Sequence, residues 1–256
     1  MEILSYLAIF FMGTVLGLFG AGGSILSVPI LVYTFNMSHN VASTYSLIIV
    51  GFAAALGSIN SIYKGNICLR ALYFFGIPSI LVVFLARALI YNAIPEQILF
   101  FNKDDMMMVI LSVFMIFSGL SMMRQKQVSN EKPTKVKLII YSILVGFAAG
   151  MLGIGGGFMI VPILVTYLRI PMLEAIGTSL LIISLNSFAG FFGDIFVGKA
   201  VDMILLIQLA LAMAAGILLG TLLPKLTNCD LKICFSFFVV IVGFVVLVTE
   251  LISILM

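Results

Sequence analysis

Two glycine clusters set in apolar sequence are the first places where this chain could do chemistry. They read Gly20-Ala21-Gly22-Gly23-Ser24 and Gly153-Ile154-Gly155-Gly156-Gly157. Backbone N–H and C=O groups freed from a helix inside a bilayer are costly unless protein, water or ligand satisfies them, so a break at depth lines a buried cavity. A helix that resumes at Ser24 or Gly157 begins with free N–H groups and the positive end of its dipole. That is an anion site requiring no buried lysine. Glycine also lets a ligand approach the backbone closely. Gly20, Gly22, Gly23 and Ser24, with Gly153, Gly155, Gly156 and Gly157, are therefore candidate substrate contacts. Tight helix packing is the competing explanation, and it suits Gly13/Gly17 and Gly146/Gly150 better. A dinucleotide-binding fingerprint fails on context, since no strand precedes the glycines and no acidic residue follows at the usual spacing.

A second set of candidates lies on the helix after each break. Ser46, Ala53, Gly57 and Ser61 fall on one helical face, as do Ser179, Asn186, Gly190 and Asp194. Asn60 and Lys64 border the first stripe, and Thr44 and Thr178 lie near the helix starts. Ser46, Asn60, Thr178, Ser179, Asn186 and Asp194 join the candidate substrate site, because a polar side chain within a membrane is a functional candidate by default. Interhelical hydrogen bonding explains Ser46 and Ser179 as well. Asn186 stands out because its counterpart in the other stripe is Ala53. Asp194 is expected near the outer interface, where solvation would account for it. His39, the only histidine, is expected to face solvent. Arg87 is expected to snorkel from an apolar stretch to the interface.

The elements that position these residues come in duplicate. At an offset of 133 residues, Gly13–Gly65 aligns with Gly146–Gly198 without a gap. Five glycines coincide, and Val28-Pro29-Ile30-Leu31-Val32 recurs as Val161-Pro162-Ile163-Leu164-Val165. The reading is an all-α polytopic helical membrane protein of two homologous repeats, residues 1–123 and 138–256, joined by a basic cytoplasmic linker, 124–137. A spanning helix needs roughly 20 apolar residues. Three stretches per half qualify: 42–63, 72–94 and 106–123, then 175–196, 203–223 and 233–254. The opening stretch of each half is broken by its glycines, and is either one discontinuous span or a re-entrant hairpin of half-helices. Cytoplasmic loops are enriched in Lys and Arg. Single crossings would place eight of the 13 basic residues inside, whereas re-entrant openings place ten inside, with inverted repeats and both termini outside. The inverted arrangement is preferred.

Composition excludes several classes of function. Of the 256 residues, 63% are hydrophobic and 9% charged, far from the roughly 25% charged residues of a soluble domain. No basic stripe interleaved with aromatics points to nucleic acid. Three cysteines, Cys68, Cys229 and Cys234, are too sparse for a disulfide framework or a metal site. No cofactor or metal is expected. The N-terminus has no basic segment and no cleavage pattern, so the first apolar run is not read as a cleaved signal peptide.

The doubled pattern of glycine break, Val-Pro-Ile-Leu and Thr/Ser-Leu helix start resembles the sulfite exporter TauE/SafE family. Gly150–Ser184 carries it best, through the glycine run at 153–157, Val161-Pro162-Ile163-Leu164 and Ala175-Ile176-Gly177-Thr178-Ser179-Leu180. The first half is a looser copy, in which Ala21 and Ser24 interrupt the glycines. The resemblance implies a bacterial-type permease for sulfite, sulfonates or related sulfur-containing organic anions, in the cell membrane. Together with the residues, it leads to a secondary transporter for a small anionic substrate, working by alternating access. An anion channel is the alternative. An intramembrane enzyme is disfavoured, because no base stands beside a nucleophile. The coupling ion stays open; a proton relay would have only Asp194 and Glu174 to use. The oligomeric state is open too.

Overall fold

The computed structural model describes residues 2–19, 23–91, 93–95, 97–98, 101–123, 135–166, 168, 170–199, 201–222 and 229–255. Among the described residues there are ten helical segments. The first half has α1 (Glu2–Phe19), α2 (Gly23–Phe35), α3 (His39–Tyr63), α4 (Leu69–Tyr91) and α5 (Lys103–Met123). The second has α6 (Lys135–Leu152), α7 (Gly157–Thr166), α8 (Met172–Phe196), α9 (Met203–Leu222) and α10 (Cys229–Leu255). Both ends of α1 recur in α6 at the 133-residue offset, and both ends of α3 recur in α8. Among the described residues, α3, α4, most of α8 and α9 are long and apolar enough to cross a bilayer. α4 contains two π turns, Leu72–Gly76 and Ala86–Tyr91, and a two-residue antiparallel ladder pairs Gln97–Ile98 with Phe101–Asn102 before α5. Lys135 and Lys137, assigned to the linker from sequence, lie in the first turn of α6.

The first break falls between Phe19 and Gly23; Gly20 and Gly22 themselves lie outside the described residues. α1 and α2 form a hairpin. The rings of Tyr6, near the start of α1, and Phe35, at the end of α2, pack edge to face with centroids 6.0 Å apart. A Cβ at Gly23 would stand 2.5 Å from the Met12 carbonyl oxygen, so α2 turns back directly onto α1. The second break, Gly153–Gly156, has three glycines at φ +70, +65 and +76, a left-handed backbone that other residues adopt at a cost. Consecutive left-handed residues cannot continue a right-handed helix, which is why α6 stops and α7 begins afresh.

The halves interlock. α1 packs on α9 of the other half through Gly13 and Gly17 against Gly216 and Gly220, where a Cβ at Gly216 would stand 2.0 Å from the Phe10 carbonyl oxygen. Reciprocally, Gly146 and Gly150 of α6 lie against Ser79 and Val83 of α4. The packing explanation for these four repeat-related glycines is thus realised. α3 and α8 pair at the centre, and α5 pairs with α10. The buried core runs through α3 and α8, with Leu47, Val50, Ala53, Leu180, Ile182 and Ile183 almost wholly enclosed.

This packing makes an expected contrast between two glycines. Gly216→Val should destabilise the protein by at least about 1–3 kcal/mol through overpacking. Gly65→Ala, at φ +69 with open space around it, should cost only the left-handed backbone penalty of roughly 1–2 kcal/mol and leave packing intact. Thermal unfolding in detergent, with α1–α9 proximity read by cross-linking, checks both. Loss of the α1–α9 cross-link should follow only from Gly216→Val.

Candidate functional site

The two half-helices that follow the breaks meet end to end at the centre. A Cβ on Gly157, the first residue of α7, would lie 3.0 Å from Ser24 Oγ in the first turn of α2. Ile183 of α8 closes the side of this junction, 2.5 Å from the same point. Serines surround it. The hydroxyls of Ser27 and Ser46 are 2.5 Å apart, joining α2 to α3. Ser187 of α8 approaches the second break and α3, since Cβ atoms on Gly155 and Gly51 would stand 2.6 Å from its Oγ and 3.1 Å from its Cβ. Ser24 and Ser187 are buried, and neither hydroxyl makes a hydrogen bond among the described residues. A buried polar group left without a partner costs about 1–3 kcal/mol. Two helix N-termini and two unbonded hydroxyls therefore converge on one point, and each is a hydrogen-bond donor.

The sequence candidates separate into three places. Gly23, Ser24, Ser46, Gly155 and Gly157 are at this junction. Gly156 supports the turn rather than the ligand side, because a Cβ there would face Ala149 and Val145. Gly153 forms the tip of the turn and lies against Ser43. Asn186 is buried in α8 and donates from Nδ2 to Ser79 Oγ at 2.7 Å, while its Oδ1 has no partner. Ser179 turns back to the Ile176 carbonyl at 2.8 Å. Thr178 and Asn60 belong to the Tyr63 end of the bundle. There Thr178 accepts from the Cys68 N–H at 2.9 Å, and Asn60, Ser61, Lys64, Asn66 and Thr221 line a cavity of about 360 Å³. Another cavity, of about 410 Å³, opens at the opposite end between the first hairpin and α9, lined by Tyr6, Phe35, Asp202 and Gln208.

Asp194 lies at that opposite end, and three expectations are corrected there. Asp194 is fully buried, not solvated at an interface. Arg87 does not snorkel; its Nη2 is 2.7 Å from Asp194 Oδ2 and also donates to Ser43 Oγ at 2.8 Å, with both charged side chains at 0% exposure. His39 does not face solvent; it is 1% exposed. Thr44 Oγ1 donates to Asp194 Oδ2 at 2.8 Å, and Lys199 Nζ sits 3.0 Å from Oδ1. Lys199 also donates to Asn40 Oδ1 at 2.6 Å. The Tyr91 ring gathers three cations, with Arg87 Cζ at 4.6 Å, Lys103 Nζ at 3.9 Å and Lys199 Nζ at 4.7 Å from its centroid. A paired, hydrogen-bonded arrangement is what makes a charge tolerable away from water. Sequence reasoning passed over Ser187 and Lys199. The available signals were a polar residue beside Asn186 in an apolar helix, and a lysine just beyond the stripe that ends in Asp194.

Lys199 lies in the loop after α8. Burial, and then the charge of Arg87, push its pKa down from 10.5 to about 8, against the opposing pull of Asp194.

With this geometry in place, the comparisons with known proteins are direct. The sulfite exporter TauE/SafE pattern matches residues 5–246. The chain belongs to that family. A probable membrane transporter protein of Xylella fastidiosa (strain 9a5c) is 31% identical over 177 residues, covering 66% of this chain and 64% of its own length. The probable membrane transporter protein YdhB of Bacillus subtilis (strain 168) is 27% identical over 229 residues, covering 88% of this chain and 90% of its own. A probable membrane transporter protein of Haemophilus influenzae is 29% identical over 196 residues, covering 73% and 70%. No solved structure matches. The family and the apolar spans together make the protein a multi-pass integral membrane protein.

The lowered pKa of Lys199 has a definite sign. Between pH 8 and 10.5 the native state has released this proton while the unfolded chain still holds it, so stability rises with pH across that window. Wild type should gain thermal stability relative to Lys199→Gln between pH 7.5 and 9.5. A constant difference between the two proteins would show that Lys199 keeps an ordinary pKa.

Proposed function

We propose that this protein is a secondary transporter for a small anion, of the class of sulfite, sulfonates or related sulfur-containing organic anions. The anion is held where the starts of α2 and α7 meet. The observation that carries the reading is the buried, unbonded Ser24 hydroxyl standing against the first residue of the opposing half-helix. Each helix start acts as roughly half a positive charge, so the pair offsets one monoanion. Ser24, Ser187 and the free N–H groups of both first turns supply directional contacts. Transport follows from exposing this central point alternately to the cavity at the Tyr63 end and to the opposite end.

The same reading orients the chain. A hairpin followed by three crossings makes each half odd, so the halves are inverted and both termini are outside. Ten basic residues then lie inside, and the other three are Arg87, Lys103 and Lys199, the three cations gathered at Tyr91. The exceptions to the positive-inside rule are thus the residues that the fold removes from the surface.

Ser24→Ala removes a hydroxyl that has no protein partner, so stability should be unchanged or slightly raised. Hydrogen bonds to charged groups are worth about 1.5–3 kcal/mol, so sulfite affinity should fall roughly tenfold or more. Isothermal titration of the purified protein, paired with thermal unfolding, reads both, and unchanged affinity would remove Ser24 from the site. A reporter active only in the cytoplasm, fused after Met256, should stay silent; a strong signal would overturn the orientation.

A further inference from the structure

We propose that Arg87 and Lys199 form a second anion station, which Asp194 occupies as a tethered stand-in for the transported ion. This rests on the anion-transporter reading and adds to it a named basic site. The carboxylate of Asp194 sits between the two cations, 2.7 Å from Arg87 Nη2 and 3.0 Å from Lys199 Nζ. A guanidinium recognises carboxylates and other oxyanions by the same fork of donors, so an oxyanion can take the place that Asp194 holds.

Three observations support the assignment. The first is that the duplicated fold does not need these charges. At the 133-residue offset Asp194 corresponds to Ser61, Arg87 to Gly220 and Lys199 to Asn66, none of them charged. A buried ion pair is in general no more stabilising than apolar packing, so stability alone does not account for this one. Next, the local charge is unbalanced. Arg87, Lys103 and Lys199 gather at Tyr91, and a single carboxylate, Asp194, stands between Arg87 and Lys199. His39 lies among these cations, 1% exposed, and neither ring nitrogen has a partner among the described residues. A neutral imidazole always carries one N–H donor, which an anion would accept. The third observation is continuity with the central site. Ser43, which accepts from Arg87, packs against Gly153 at the tip of the second glycine turn. An anion leaving the helix starts reaches Arg87 around that turn.

The test is sulfite titration of purified full-length variants, with sulfite flux into proteoliposomes measured alongside. Asp194→Asn keeps the shape and the acceptor for Thr44 but removes the competing charge. It should reveal a second binding event at least about tenfold tighter than any in wild type, because a site masked by a competitor gains affinity by the fraction unmasked. Flux should slow, since the ion is no longer displaced. Arg87→Gln combined with Asp194→Asn should lose the new event. Ser24→Ala combined with Asp194→Asn should keep it while losing the first. Lys199→Gln, in a loop, should weaken any sulfite bound at this end and slow flux. A merely structural ion pair would give the opposite pattern, in which Asp194→Asn destabilises the fold and adds no binding. That pattern, with wild-type binding intact, overturns the station and leaves the central site standing. A second event in Asp194→Asn without any wild-type binding would overturn the central site instead, and absence of binding in both overturns both. Should Asp194→Asn fail to insert, unchanged flux in Lys199→Gln overturns the station.

Discussion

Everything in this molecule follows from the requirement that backbone polar groups in a bilayer find partners inside the chain. Unbroken helices meet it trivially, and α3, α4, α8 and α9 do so along lengths that cross the membrane. The two glycine breaks are where it is deliberately relaxed. Left-handed glycines at 153, 155 and 156 end α6, and the chain restarts as α7 with the positive end of its dipole at Gly157. The first hairpin delivers α2 to the same point from the other half. In the proposed anion site, backbone dipoles and serine hydroxyls take the part that lysines play in a soluble protein, avoiding the cost of a bare cation at depth.

The duplication is symmetric in architecture and asymmetric in chemistry. The ends of α1 and α6, and of α3 and α8, coincide at the 133-residue offset, and the glycine contacts of α1 recur in α6. Charge does not. One end of the central pair is closed by Arg87, Asp194 and Lys199, whereas the corresponding positions at the other end, Gly220, Ser61 and Asn66, are neutral and partly line a cavity. A fold built from two like halves would otherwise treat both membrane faces alike. The ionic cluster makes the two ends of the bundle chemically unlike.

Local features were legible in the sequence, and long-range pairing was not. The break at Gly153–Gly156, the hairpin alternative and the repeat-related glycine contacts all follow from spacing and from the chemistry of glycine. His39, Arg87 and Asp194 were misplaced for one shared reason. Each was weighed against its own neighbours along the chain: a charge in apolar sequence suggests an escape to the interface, and His39 stands in the polar turn 36–40. The structure pairs Arg87 with Asp194 across 107 positions and Thr44 with Asp194 across 150, and periodicity carries no information about such partners. Ser187 escaped notice because the stripe criterion selected one face of α8, and its neighbour Asn186 already occupied it.

The cross-half packing of α1 on α9 bears on how the protein is made. Gly13 and Gly17 leave the ribosome early, but the glycines they fit against, Gly216 and Gly220, follow roughly 200 residues later, on the order of 10–40 s at usual elongation rates. Through that interval α2 can close upon α3 of its own half, but the small-residue face of α1 has nothing to close upon. It must wait in the translocon or against lipid. Packing of α1 is therefore committed late, when α9 arrives, and a chain interrupted between the repeats would leave that face of α1 with no place to dock.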